Sequence, residues 1–182
     1  MTYKSLFLAC SIASSLIIQA EPINTTGATE NSMPYKMEKQ QKKLIMGIEI
    51  RTSNQTCLTD MPQIWEKFMK EKILEKIPHK VNSTVFAVYT DYEDDFTKPY
   101  SYILGCEVTT LDDIPEGLIG TIVPPSLYAV YTTQGTYPQG LSNTWQTVWK
   151  SPLKRAYTSD FEIYSPDFNP MTKPEVKVYI AL

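Results

Sequence analysis

A single carboxylate set among aromatic side chains dominates the chemistry that this sequence offers. The run Phe161-Glu162-Ile163-Tyr164 has the composition of a β-strand. Strand side chains alternate between faces, so Glu162 and Tyr164 share one side while Phe161 and Ile163 share the other. Phe86-Ala87-Val88-Tyr89 places Tyr89 in a similar strand, Leu127 to Thr133 contributes Tyr131, and Val176-Lys177-Val178-Tyr179-Ile180 turns Tyr179 away from three apolar side chains. If Phe161, Ile163, Val176, Val178 and Ile180 pack under helices, then Glu162, Tyr164, Tyr179 and Tyr89 gather on the side facing away from them. An acid among such rings offers charge pairing plus cation–π attraction of about 0.5–2 kcal/mol per contact, which favours a flat organic cation. With 12 Tyr against 6 Phe, the chain prefers rings that pack like hydrocarbon but keep a polar tip. Pattern alone also allows a water-facing sheet on which these tyrosines are ordinary strand formers. The same acid supports a second chemistry, hydrolysis, with Glu162 as nucleophile or general base and Tyr164 or Tyr179 as proton donor.

Other chemistries lack their parts. One His and three Cys cannot assemble a Cys- or His-rich zinc site. His79 follows Pro78 at the end of a predicted helix, a turn position rather than that of a haem ligand or triad base. The acidic run Asp91 to Asp95 lacks the spaced Gly and terminal Glu of a calcium loop and reads as a solvated hairpin turn. Neither a metal nor a cofactor is expected. The net charge of -3 and sequence pI of 5.2 do not provide the positive excess that phosphate-backbone recognition needs, so no direct nucleic-acid binding is expected.

These residues need elements to position them. Residues 1–20 carry one positive charge, an apolar run from Leu6 to Ile18, and Gln19-Ala20 before Glu21-Pro22, which is a secretory leader pattern. Cleavage after Ala20 predicts a secreted or periplasmic protein with no stable membrane span afterwards. Residues 21–43 are polar and read as a linker. The remainder, 44–182, reads as an internal duplication, with repeats at about 44–108 and 127–182. A shift of 75 residues lays Phe86-Ala87-Val88-Tyr89 over Phe161-Glu162-Ile163-Tyr164 and Phe96-Thr97-Lys98-Pro99 over Met171-Thr172-Lys173-Pro174. Each repeat opens with a strand, Leu44 to Thr52 or Leu127 to Thr133. A helix follows: Ile64, Trp65, Phe68, Ile73 and Ile77 mark one over 59–77, and Leu141, Trp145, Val148 and Trp149 mark another over 142–150. Thr109 to Pro125, rich in turn residues, is the expected connector. The predicted architecture is α+β, two strand-helix-strand-strand repeats with pseudo-two-fold symmetry around a central ligand cleft. In an oxidising compartment Cys57 and Cys106 could be joined, closing a loop worth up to about 4 kcal/mol, or remain two separate buried thiols.

Four motifs in order, 127–135, Thr144-Trp145-Gln146-Thr147-Val148-Trp149, 161–168 and 175–180, resemble the GyrI-like effector-binding domain family from about Met46 to Leu182. That family includes the ligand-sensing halves of multidrug-responsive and AraC-type regulators. The resemblance implies the paired repeats described above and a central pocket whose strand glutamate pairs with cationic, lipophilic ligands. Glu162 takes that position. Pocket aromatics map to Tyr164 and, with less specific motifs, to Tyr179, Tyr89 and Tyr131, while Trp145, on the helix motif, is assigned to helix-to-sheet packing ahead of a contact with the pocket. A leader pattern stands where a regulator would carry DNA-binding helices, so the resemblance implies an exported small-molecule-binding protein rather than a transcription activator. Superfamily members of this stand-alone form that hydrolyse cyclopropane-bearing compounds supply the enzymatic alternative.

Overall fold

The computed structural model describes residues 34–182. The leader pattern and residues 21–33 of the expected linker lie outside the described residues. One eight-stranded sheet organises the chain: β1 (Lys36–Gln40), β2 (Lys43–Thr52), β3 (Val85–Thr90), β4 (Tyr100–Val108), β5 (Ile119–Val123), β6 (Ser126–Thr132), β7 (Ser159–Tyr164) and β8 (Lys177–Ala181). Its spatial order is β1-β6-β8-β7-β3-β4-β2-β5, and neighbouring strands run antiparallel. This is an α+β fold. The central pair β3 and β7 sets Ala87 opposite Glu162 and Val88 opposite Phe161.

Three helices connect these strands. In α1 (Cys57–Lys70) the apolar positions Ile64, Trp65 and Phe68 are buried on one stripe, Asp60 lies in the first turn and Lys67 and Lys70 in the last. Those charges suit the helix dipole. The helix expected over 59–77 is interrupted, because Lys72 adopts a left-handed φ of 51°. A short α2 (Ile73–Lys76) follows, and the break turns Ile73 and Ile77 back onto the sheet, both almost fully buried. In α3 (Gln139–Lys150) Leu141, Trp145 and Val148 recur at four- and three-residue steps and form the buried stripe.

Two stretches expected to be irregular are strands. Among the described residues Lys36–Gln40, assigned to the linker, pairs with β6 alone, and Ile119–Val123, assigned to the connector, pairs with β2 alone. Both are sheet edges. An edge strand buries little, so Lys36-Met37-Glu38-Lys39-Gln40 carries no apolar alternation, and charge there discourages further strand addition.

Both sheet faces are buried. Beneath the helices lie Met46, Ile48, Ala87, Tyr89, Tyr102, Leu104, Tyr164, Val178 and Ile180, together with Ile64, Trp65, Phe68 and Trp145 of α1 and α3. On the opposite face Ile45, Phe86, Val88, Ile103, Tyr128, Phe161 and Tyr179 form a second cluster, in which the Phe161 and Tyr179 rings stack at 4.5 Å. Cys106 is a buried free thiol, so the alternative in which it bonds to Cys57 is not realised. Burial pushes that thiol up to about 11.

Candidate functional site

Glu162 is 1% exposed and lies near the middle of the sheet, on the face covered by helices. Three donors reach it. Trp145 Nε1 donates to Oε1 at 2.6 Å, Tyr89 Oη to the same oxygen at 2.7 Å, and Tyr164 Oη to Oε2 at 2.6 Å. Each follows from a local rule. Tyr89 sits two residues along β3 from Ala87, the residue opposite Glu162, and Tyr164 is two residues along β7 from Glu162, so both share its face. Trp145 reaches down from the buried stripe of α3. A second tryptophan does the equivalent from α1: Trp65 meets the Tyr164 ring edge-on at 5.0 Å and donates its indole N–H to Tyr102 Oη at 2.9 Å.

The carboxyl is desolvated and, among the described residues, no Lys or Arg forms an ion pair with it. Burial lifts its pKa, and the bonds from Tyr164, Trp145 and Tyr89 offset part of that rise, leaving it above the ordinary carboxylate value. Burial and the charge of Glu162 in turn push the Tyr89 and Tyr164 hydroxyls well above 10, so both remain neutral donors. The stability consequence has a definite sign. The folded state holds this proton more tightly than the unfolded chain, so the contribution is full below the unfolded value of about 4.3 and is lost as pH rises through the lifted folded value. Glu162→Gln carries no such loss. We expect the melting temperature of Glu162→Gln, relative to wild type, to climb as pH rises from 4 toward 8; a pH-independent difference would contradict the lifted pKa.

A small cavity of about 40 Å³ adjoins this cluster. Tyr89, Tyr100 and Trp145 contribute buried wall, and Asn54, Met61, Tyr92, Arg155 and the partly exposed rings of Phe96 and Trp149 contribute the rest. Glu162 stands behind Tyr89 and Trp145, the two side chains that both line the cavity and bond to the acid. The Phe96 and Trp149 rings lie nearly parallel, 6.2 Å apart.

The structure therefore gathers Glu162, Tyr164 and Tyr89 and separates the other two predicted residues from them. Tyr179 lies on the opposite face, stacked on Phe161. Tyr131 is on the helix-covered face but packs against Tyr35 at 5.2 Å, with no hydrogen bond to Glu162. The expected assignment of faces holds for β8, whose Val178 and Ile180 lie under the helices with Tyr179 on the other side, but is reversed for β7 and for Tyr89 of β3: Glu162, Tyr164 and Tyr89 point toward the helices, Val178 stands opposite Glu162, and Phe161 belongs to the other cluster. An apolar side chain identifies the helix-covered face only when the other face meets water, and here neither does. Among the described residues the acid is enclosed rather than open to solvent. Sequence reasoning passed over Trp145 as an acid donor, although a buried indole N–H needs an acceptor. It also missed Arg155, Tyr100 and Phe96; the last two flank a turn read as solvated, but Tyr92 and Phe96 fold inward from it.

Comparison with known proteins places the chain in a family of effector-binding proteins. The chain belongs to the integron-associated effector binding protein family, whose model matches residues 36–182, within the GyrI-like superfamily. An integron cassette protein from the mobile metagenome of Vibrio cholerae is 28% identical, with a TM-score of 0.63 over 82% of this chain and 95% of that one. A putative transcriptional regulator protein of Bacillus subtilis, YobU, is 27% identical over 77% of this chain and 92% of its own length. The fold is also that of SAV2435, solved bound to tetraphenylphosphonium, at 14% identity and a TM-score of 0.67 over 82% of this chain and 93% of that one. Among the described residues, no helix is long and apolar enough to cross a membrane, and no group of three metal-ligating side chains occurs.

Proposed function

We propose that this protein binds lipophilic, aromatic organic cations, with Glu162 as the counter-charge and Tyr89, Tyr164 and Trp145 as its aromatic surround. One observation carries the reading: a fully buried carboxyl held by three neutral donors, with no cationic partner among the described residues. A buried acid of this kind gains more from an arriving cation than a solvated one, because water no longer screens the pair. The family description as effector binding and the tetraphenylphosphonium bound by SAV2435 support the ligand class. A cavity of about 40 Å³ holds little more than a water molecule or two, whereas drug-sized ligands occupy roughly 300–1,000 Å³. Entry therefore requires Trp145 or Tyr89 to swing away from Glu162, exchanging neutral donors for a cation.

The same reading treats β2-α1-β3-β4 and β6-α3-β7-β8 as two related repeats meeting at the acid. The 75-residue shift makes residues 87 and 162 equivalent, and these two residues face each other in register, as a two-fold axis between them would require. Export, supported by the leader pattern of residues 1–20, would place the site where foreign cations arrive. The hydrolase alternative is disfavoured by the tyrosines. A general acid works best with a pKa near the operating pH, and both hydroxyls bonded to Glu162 are pushed well above 10.

Titration of tetraphenylphosphonium into the protein, followed by quenching of Trp fluorescence, tests the proposal. Glu162→Gln should weaken binding about tenfold to a hundredfold, the range for a desolvated charge-assisted contact of about 1.5–3 kcal/mol. Wild-type affinity should also fall as pH drops through the lifted Glu162 pKa, and that dependence should vanish in the variant. Equal affinities for the two proteins at neutral pH would remove the role of the carboxylate.

A further inference from the structure

Arg155, in the segment between α3 and β7, is an arginine enclosed almost entirely by the protein. Its side chain is 4% exposed, and Nη2 donates to Asp160 Oδ2 at 2.6 Å. Three aromatic rings surround the guanidinium, Tyr157 with its centroid at 4.5 Å and Tyr92 and Phe96 each at 5.9 Å. Yet Nε and Nη1 are buried and, among the described residues, have no hydrogen-bond partner. Buried donors without acceptors are rare. Arg155 also lines the cavity that Tyr89 and Trp145 line, and those two side chains hold the Glu162 carboxyl. Arg155 and two of the side chains that hold the acid thus line one small space, with Glu162 directly behind it.

We propose that Arg155 is a second recognition group of this pocket, supplying hydrogen-bond donors to an oxygen acceptor on the ligand, so that preferred ligands are aromatic cations that also carry a carbonyl group. The inference rests on the reading of Glu162 as the cation's counter-charge and adds the class of ligand. Charge balance selects a neutral oxygen over a carboxylate. Asp160 already compensates the guanidinium, and its own oxygens are engaged by Arg155, Tyr92 and the Ala181 N–H. A ligand carboxylate would bring a second anion toward Asp160, whereas a carbonyl oxygen accepts from Nε or Nη1 without that repulsion. One end of the pocket then reads charge and the other reads an acceptor.

Two synthetic probes of matched shape separate these contributions: (4-acetylbenzyl)triphenylphosphonium and (4-isopropylbenzyl)triphenylphosphonium, which differ in the carbonyl oxygen. Calorimetric titration of the full chain should show the acetyl compound binding about tenfold tighter, the gain expected for a hydrogen bond to a charged donor. Arg155→Met alone strands Asp160 in the interior and risks unfolding, so the informative variant is Arg155→Met combined with Asp160→Asn, with Asp160→Asn alone as control. The preference should vanish in the double variant and survive in the control. In Glu162→Gln both probes should weaken together with their ratio unchanged. Equal affinities in wild type, or a preference that persists without Arg155, would overturn the inference while leaving the Glu162 reading intact. If the acetyl preference holds but Glu162→Gln binds both probes as wild type does, the Glu162 reading fails instead, and binding of neither probe overturns both.

Discussion

Asp160→Ala is expected to destabilise the protein by about 3–5 kcal/mol, the cost of stranding a buried charge by removing its partner. The aspartate is fully buried and satisfies three donors from three parts of the chain: Arg155 Nη2 at 2.6 Å, Tyr92 Oη at 2.8 Å and the backbone N–H of Ala181 at 2.8 Å. Alanine leaves a guanidinium without a counter-ion in a nearly dry site, and it orphans an N–H of β8. Against a total stability of about 5–15 kcal/mol this is a large fraction. Urea denaturation monitored by far-UV circular dichroism checks it. Asp160→Asn should cost distinctly less, because the amide oxygen still accepts from Ala181. A loss below about 1 kcal/mol for alanine would mean that water reaches Arg155 and that the ion pair behaves as an exposed one.

Gly105→Val should be comparably damaging through sterics rather than charge. Gly47 and Gly105 face each other across β2 and β4. A Cβ on Gly105 would stand 2.2 Å from the Met46 carbonyl oxygen and 2.7 Å from its carbon. Backbone atoms cannot rotate aside as a side-chain tip can, so the two strands must separate, and with them Met46, Ile48, Leu104 and Cys106 beneath the helices. We expect a loss of about 3 kcal/mol or more, with poor soluble expression, because overpacking and a broken strand pair add. Thermal melting checks it. Gly117→Ala provides the contrast in mechanism: a Cβ there meets nothing within 4 Å, and its cost comes only from the φ of 81°. A melting temperature for Gly105→Val within a few degrees of wild type would show that the strands have room to yield.

The ligand predictions are smaller in energy but share one physical basis with these. Glu162 and Asp160 lie two residues apart on β7 and point to the same face, and both are buried. Asp160 has an internal cation in an aromatic cage, whereas Glu162 has rings and neutral donors alone among the described residues. The neighbouring site illustrates, within one molecule, the arrangement we propose a ligand completes.

Much of this was legible in the order of residues. The 3.6-residue recurrence of Ile64, Trp65 and Phe68 and of Leu141, Trp145 and Val148 located two helices, and the motifs around Trp145 and Glu162 pointed to the family that the comparison then showed. The Glu162-Tyr164 pairing followed from strand alternation alone, since two residues along a strand lie on one face wherever that strand is placed. Sequence could not say which face that was, because apolar alternation reports a boundary with water and β7 has none. For the same reason Tyr179 looked like a neighbour of the acid when its partner was Phe161. The edge strands β1 and β5 left no periodic signal because one-sided pairing buries too little to require one. Trp145, Tyr89 and Arg155 converge from α3, β3 and the segment after α3 only once the chain is packed. Local rules determined which side chains share a face, and long-range packing decided what stands against it and how little water remains there.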